Sequence, residues 1–171
     1  MKLLLTGAFC ALIQIFSYGT DLNSGLRFYA PFEDDCAPAV AKGSDFSSTP
    51  NAEFAAGKNG QAVKLSKTLN YIIAGNIKAD CGTVAFWHKP DWSPDAKSIS
   101  SRTFFEAVHV ACKFQPRLQR AFFMTGLTRP QKGFKWDYGC YWNGMRNFKP
   151  GVWQHIAFTW DSKSRKKVFY I

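Results

Sequence analysis

Acidic residues are scarce in this sequence. Its 12 Asp and Glu stand against 22 Lys and Arg, for a formal net charge of +10. Glutamate occurs only as Glu33, Glu53 and Glu106, and none of these has an acid two or four residues away on a shared strand face. That removes the paired carboxylates that glycoside hydrolysis usually requires. No CxxC or CxxH pair occurs, and no second histidine or acid sits at ligand spacing near His155, with no better case for His88 or His109. No metal site is assigned. There is no low-complexity tract, internal repeat, heptad pattern or apolar periodicity long enough for a helix of three turns. Nearly all helical and metal-stapled architectures are thereby excluded.

What is present begins with a leader-like segment. Lys2 precedes an apolar run over 3–16, and Ser17 and Gly19 put small residues at the −3 and −1 positions before Thr20. The run is short for a bilayer span, and a buried N-terminal helix is the competing reading. Cys10 does not fit a lipoprotein cysteine, because Phe9 precedes it and the apolar run continues beyond it. Residues 1–19 are therefore expected to be a signal peptide and 20–171 one secreted, extracytoplasmic domain with no membrane span. Removal of the leader takes the formal charge to +9 and leaves 152 residues, enough for one core. Four cysteines remain, Cys36, Cys81, Cys112 and Cys140, which permit two disulfides in three connectivities. The basic balance favours acidic partners such as uronate or sulfated polymers, or else a solvated surface with no specific partner.

The rest alternates short apolar runs with Gly, Pro, Asn, Asp and Ser clusters, as all-β sandwiches and barrels do. Strands are expected at 26–32, 62–65, 70–73, 82–88, 103–110, 118–125, 134–142, 153–160 and 168–171. In "FKWDYGCYWN", Phe134, Trp136, Tyr138, Cys140 and Trp142 share one parity and form a core face. The opposite parity carries Lys135, Asp137, Tyr141 and Asn143, a candidate hydrogen-bonding face for a polar ligand. A bulge at Gly139 would reverse the parity beyond it. The densest basic run, "SKSRKK", suits a solvated hairpin turn, so nucleic acid is not an expected partner.

Four segments, "LRFYAPFEDD", "GKNGQAVKLSKTLNYI", "GTVAFWHKPDW" and "GVWQHIAFTWDSKSRKKVFYI", resemble in order the landmarks of the laminin-G-like jelly roll of the concanavalin A-like lectin/glucanase superfamily. Its Gly-rich turn and following strand are matched by Gly60, Ala62 and Leu65, and its "W-x-K-P" strand end by Trp87, Lys89 and Pro90. The late signature is matched by Gly151, Trp153, His155, Ala157, Thr159 and Asp161. The resemblance implies an all-β, two-sheet antiparallel β-sandwich with Trp87, Gly151, Trp153, His155 and Asp161 as structural motif residues, His155 being an imidazole inside the sandwich. It also implies further strands beyond Ile171, so that 20–171 would be a truncated jelly roll with an unsatisfied C-terminal edge. The implied function is a noncatalytic binding or adhesion module for an extracellular glycan or protein. The alternative is a polysaccharide-active enzyme, a glycoside hydrolase or lyase, of the same superfamily. No cofactor is expected. The family's occasional calcium is allowed for, with no residues assigned; "FEDD" suits a turn or a calcium ligand.

Overall fold

The computed structural model describes residues 2–5, 9–16, 25–45, 52–65, 69–72, 74–78, 80–93, 102–107, 110–115, 120–125, 137–142, 148–161 and 163–171. Every element among them is a strand. In chain order these are β1 (Lys2–Leu5), β2 (Phe9–Phe16), β3 (Leu26–Ala30), β4 (Val40–Ala41) and β5 (Glu53–Ala56). Next come β6 (Gln61–Lys64), β7 (Leu69–Ile72), β8 (Cys81–His88), β9 (Arg102–Ala107) and β10 (Val110–Gln115). The last four are β11 (Arg120–Thr125), β12 (Asp137–Trp142), β13 (Gln154–Asp161) and β14 (Lys166–Tyr170). The expectation of an all-β chain agrees with this content. Among the described residues, no helix is long and apolar enough to cross a membrane.

All pairings are antiparallel. One sheet has six strands in the order β12-β11-β10-β9-β1-β7. The other has eight, in the order β14-β13-β8-β2-β3-β4, with the β5–β6 hairpin joined to β2 through β6. Residues read as a leader thus run as β1 and β2, and β2 lies between β8 and β3. The expected strand at 103–110 is instead β9 and the first residue of β10, which turn back so that Val110 lies opposite Ala107. The β11–β12 register runs unbroken from Arg120↔Trp142 to Thr125↔Asp137, so Gly139 carries no bulge. The basic run near the C-terminus is only partly a turn, because Lys166 and Lys167 already pair in β14.

Strand alternation decides which side chains meet. On β8 the even positions Val84, Phe86 and His88 are buried, as are Ile156, Phe158 and Trp160 on β13 and Phe28 and Ala30 on β3. Phe104 of β9 joins that cluster, with its ring 6.2 Å from Phe86, 6.4 Å from Phe158 and 5.7 Å from Phe148. Phe104 therefore brings β9 of the six-stranded sheet into contact with buried side chains of β8 and β13. Gly82 lies opposite Trp160, and a Cβ there would come within 2.6 Å of the indole. The missing side chain makes room for the ring.

A polar clamp closes one margin of the core. Asn76 is fully buried; its Oδ1 accepts from the Gly43 N–H at 2.7 Å and its Nδ2 donates to the Ser44 carbonyl at 2.7 Å. The Ser44 N–H donates to the Ala74 carbonyl at 2.8 Å, and Arg27 donates to the Gly75 carbonyl at 2.6 Å. Two irregular segments, 42–44 and 74–76, are thereby held at near-contact distance.

Candidate functional site

The outward positions of β8 and β13 build a compact patch of indoles and cations. Even residues of "AFWHKP" enter the core, so Trp87 and Lys89 face outward by alternation. Pro90 has no N–H to continue the ladder, and its carbonyl accepts the Gly151 N–H at 2.7 Å. Gly151 adopts a φ of 73°, a left-handed conformation suited to glycine, as the chain approaches β13. His155 then lies opposite Trp87, and the same register carried two residues further puts Trp153 across from Lys89. Beneath this corner Phe148 is buried, stacked on Trp92 at 5.9 Å and on Phe104 at 5.7 Å.

The patch geometry follows from these placements. Trp87 and Trp153 are half-buried and His155 is exposed. The Trp87 and His155 rings are 5.2 Å apart at 59°. Lys58 Nζ sits 5.4 Å from the Trp87 ring centre, and Lys89 Nζ sits 5.9 Å from that of Trp153. Each such exposed cation–π contact contributes about 0.5–1 kcal/mol, weak enough for the ammonium to be shared with an anionic ligand. Lys58 arrives from the β5–β6 turn, where the Gly57 N–H donates to the Gly60 carbonyl at 2.9 Å. Gly60 has a φ of 61° and leaves no room for a Cβ beside the Glu33 carboxylate.

Glu33 Oε2 also accepts from the Gln61 N–H at 2.9 Å, and Asp34 Oδ1 from Gln61 Nε2 at 3.0 Å. The "FEDD" acids therefore brace the hairpin that presents Lys58. Among the described residues, no group of three or more His, Cys, Asp or Glu is placed to hold a metal ion.

The residues expected from sequence are only partly brought together. Trp87, Gly151, Trp153 and His155 converge on the patch. His155 lies outside, not within a sandwich, because the odd positions of β13 face away from Ile156, Phe158 and Trp160. Lys135 and Asn143 lie outside the described residues. Asp137 and Tyr141 are on β12, opposite Thr125 and Ala121, at the edge of the other sheet. Lys89 was available from parity with Trp87, whereas Lys58 reaches the patch only through a tertiary contact that local spacing does not encode.

The cysteines are dispersed over the fold. Cys36 and Cys81 are thiols. Burial, with the neighbouring Asp35 charge second, pushes the Cys36 thiol up to about 11. Its neutral form is thus favoured, opposite to what a nucleophilic or metal-binding thiolate needs. Cys112 on β10 and Cys140 on β12 have β11 between them. Two strand spacings, roughly 9–10 Å, exceed the Cα separation a disulfide bridges.

Asp161 ends the outward row of β13 and organises the turn into β14. Its Oδ2 accepts from Ser164 Oγ at 2.7 Å, and its Oδ1 from the N–H groups of Ser164 at 3.3 Å and Lys163 at 2.9 Å. The Ser164 hydroxyl and N–H lead in holding its carboxyl below the ordinary carboxylate value. A depressed folded value means that the turn's contribution is fully present above the ordinary carboxylate pKa and is lost as pH falls through the lowered one. Acidification below about pH 4 is accordingly expected to loosen the turn, read by the Ser164 amide resonance. Asp161→Asn, which keeps an acceptor oxygen, should abolish that acid dependence; an unchanged titration of Ser164 in the variant would contradict the assignment.

Comparison with known proteins gives no relative. No family model, curated protein or solved structure matches the chain.

Proposed function

We propose that the chain is a secreted, noncatalytic binding module, built as a laminin-G-like two-sheet sandwich, that recognises an acidic extracellular glycan on the Trp87–Trp153 patch. The observation that carries this reading is the pair of indole–ammonium contacts side by side on an outward sheet face. Indole faces stack on the apolar faces of pyranose rings, while Lys58 and Lys89 reach carboxylate or sulfate groups. The packing of Phe104 against Phe86 and Phe158 supports the face-to-face arrangement of the sheets. None of the five patch residues is a carboxylate, which favours binding over hydrolysis.

Calorimetry with sulfated, uronate and neutral oligosaccharides tests the proposal. Acidic ligands should bind, and binding should weaken as salt rises. Trp87→Ala should weaken it about tenfold, corresponding to roughly 1.4 kcal/mol. No binding to any glycan, or equal affinity for neutral and acidic ones, would sink it.

A further inference from the structure

The outward face of β13 continues past the indole patch to the basic turn before β14. Its odd positions run from His155 to Asp161, six residues or roughly 20 Å of extended chain. On β14, Tyr170 stands opposite Ala157, Val168 opposite Thr159 and Lys166 opposite Asp161. All three are exposed, Tyr170 at 52% and Val168 at 37%. Ala157 is itself buried, so whatever crosses this stretch meets the Tyr170 ring and Val168. One face thus leads from indoles, past a phenol, to a group of cations.

The turn holds its cations out and its acid in. From Val152 to Ile171 the chain has four Lys and Arg and one acid, Asp161. Both Asp161 oxygens are engaged within the turn, accepting from the Ser164 hydroxyl and from the Ser164 and Lys163 N–H groups. Lys163, Arg165 and Lys166 are exposed. Arg165 adopts a φ of 55°, a left-handed conformation that large side chains rarely enter and glycine takes without strain. Backbone geometry alone therefore favours glycine at this position.

We propose that the outward face of β13 and β14 is one continuous track for a linear acidic glycan, held at one end by the Trp87–Trp153 patch and at the other by Lys163, Arg165 and Lys166. The inference rests on the glycan reading of the patch and extends it to the length and charge pattern of the ligand. Trp87, Trp153 and Tyr170 offer ring faces to successive sugars, and the cations at both ends reach sulfate or carboxylate groups. A single acidic group cannot touch both ends across roughly 20 Å, whereas a repeating polymer presents one to each. Bridging makes the second contact intramolecular and so raises affinity beyond that of either end alone. A ligand contact also supplies the reason for a cation at a glycine position.

Calorimetry of the full chain with a heparin disaccharide and a heparin decasaccharide tests it. The decasaccharide should bind one per chain, about tenfold or more tighter than the disaccharide. Arg165→Gly, and separately Lys163→Gln combined with Lys166→Gln, should each weaken the decasaccharide about threefold or more. Disaccharide affinity should not change, because roughly 20 Å is about two Debye lengths at physiological salt. Arg165→Gly suits the local φ, so an unlowered melting midpoint separates a lost contact from a lost fold. Equal affinity for the two lengths would overturn the track and leave the patch reading intact. So would a length gain undiminished in both turn variants, which would assign it to overlapping registers on the patch. Decasaccharide binding that needs the turn but survives Trp87→Ala would overturn the track and the patch reading together, as would no binding of either ligand. A glutamate decapeptide that binds as tightly as the decasaccharide would give the track to an acidic polypeptide instead.

Discussion

Phe158→Ala is expected to lower the unfolding free energy by about 3–5 kcal/mol, the range for truncating a fully buried phenylalanine. Phe158 has no exposed surface, and its ring lies 6.3 Å from Phe86, 6.4 Å from Phe104 and 4.6 Å from Phe169, stacked at 21° on the last. Three strands besides its own, β8, β9 and β14, thus lose a contact at once. Their backbones are fixed by ladders, so the cavity has little scope to collapse. Phe169→Ala should cost less, because that ring is only half-buried on the edge strand. Urea unfolding of the two variants beside the unaltered chain gives the comparison. A loss for Phe158→Ala of under about 1 kcal/mol would mean that the site is not a packed core position.

The second large effect is expected at the polar clamp. Asn76→Ala removes one acceptor and one donor from a fully buried position, stranding the Gly43 N–H and the Ser44 carbonyl from that partner. Each stranded group costs about 1–3 kcal/mol, so a combined loss of about 2–6 kcal/mol follows. Asn76→Asp should be nearly as damaging, since an ionised carboxylate accepts from Gly43 but cannot donate to Ser44.

Gly43→Ala attacks the same clamp from the other side. Its Cβ would collide with the Ala74 carbonyl oxygen and lie 2.8 and 2.9 Å from the Gly75 carbonyl carbon and Cα. Because these are backbone atoms, no rotamer change relieves the clash, and 42–44 must separate from 74–76. Thermal melts of the three variants, each compared with Ala37→Gly in an exposed turn, provide the measurement. Midpoints within 2 °C of the control, less than about 1 kcal/mol for a chain of this size, would refute the clamp.

Much of this arrangement was legible where alternation was strict. β8 and β13 were found to within one residue, because "VAFWH" and "QHIAFTW" interleave large apolar side chains with outward ones and are bounded by Pro and Gly. Parity also placed Trp87, Lys89, Trp153 and His155 on common faces. It could not say which face was inside, and the inward assignment of His155 came from resemblance. β10 has no local marker because no Gly or Pro separates it from β9, so the strand expected at 103–110 runs past the turn and stops at the first residue of β10. β2 was hidden by ambiguity of another kind, since an apolar run such as "FCALIQIF" serves a leader and a central strand equally well. The Asn76 clamp joins residues more than thirty positions apart, beyond the reach of any local pattern.

Among the described residues, four of the chain's six indoles divide by depth. Trp92 and Trp160 are 5% and 3% exposed, the latter lodged against Gly82, whereas Trp87 and Trp153 stand half-open on the outer face. With Trp136→Phe and Trp142→Phe removing the other two emitters, intrinsic emission carries two separable signals. A soluble quencher reaches the outer pair first, and an occupant of the patch shields them without disturbing the inner pair. The inner pair shifts to the red only when the core itself opens. Occupancy and unfolding can thus be followed in one cuvette with no label attached.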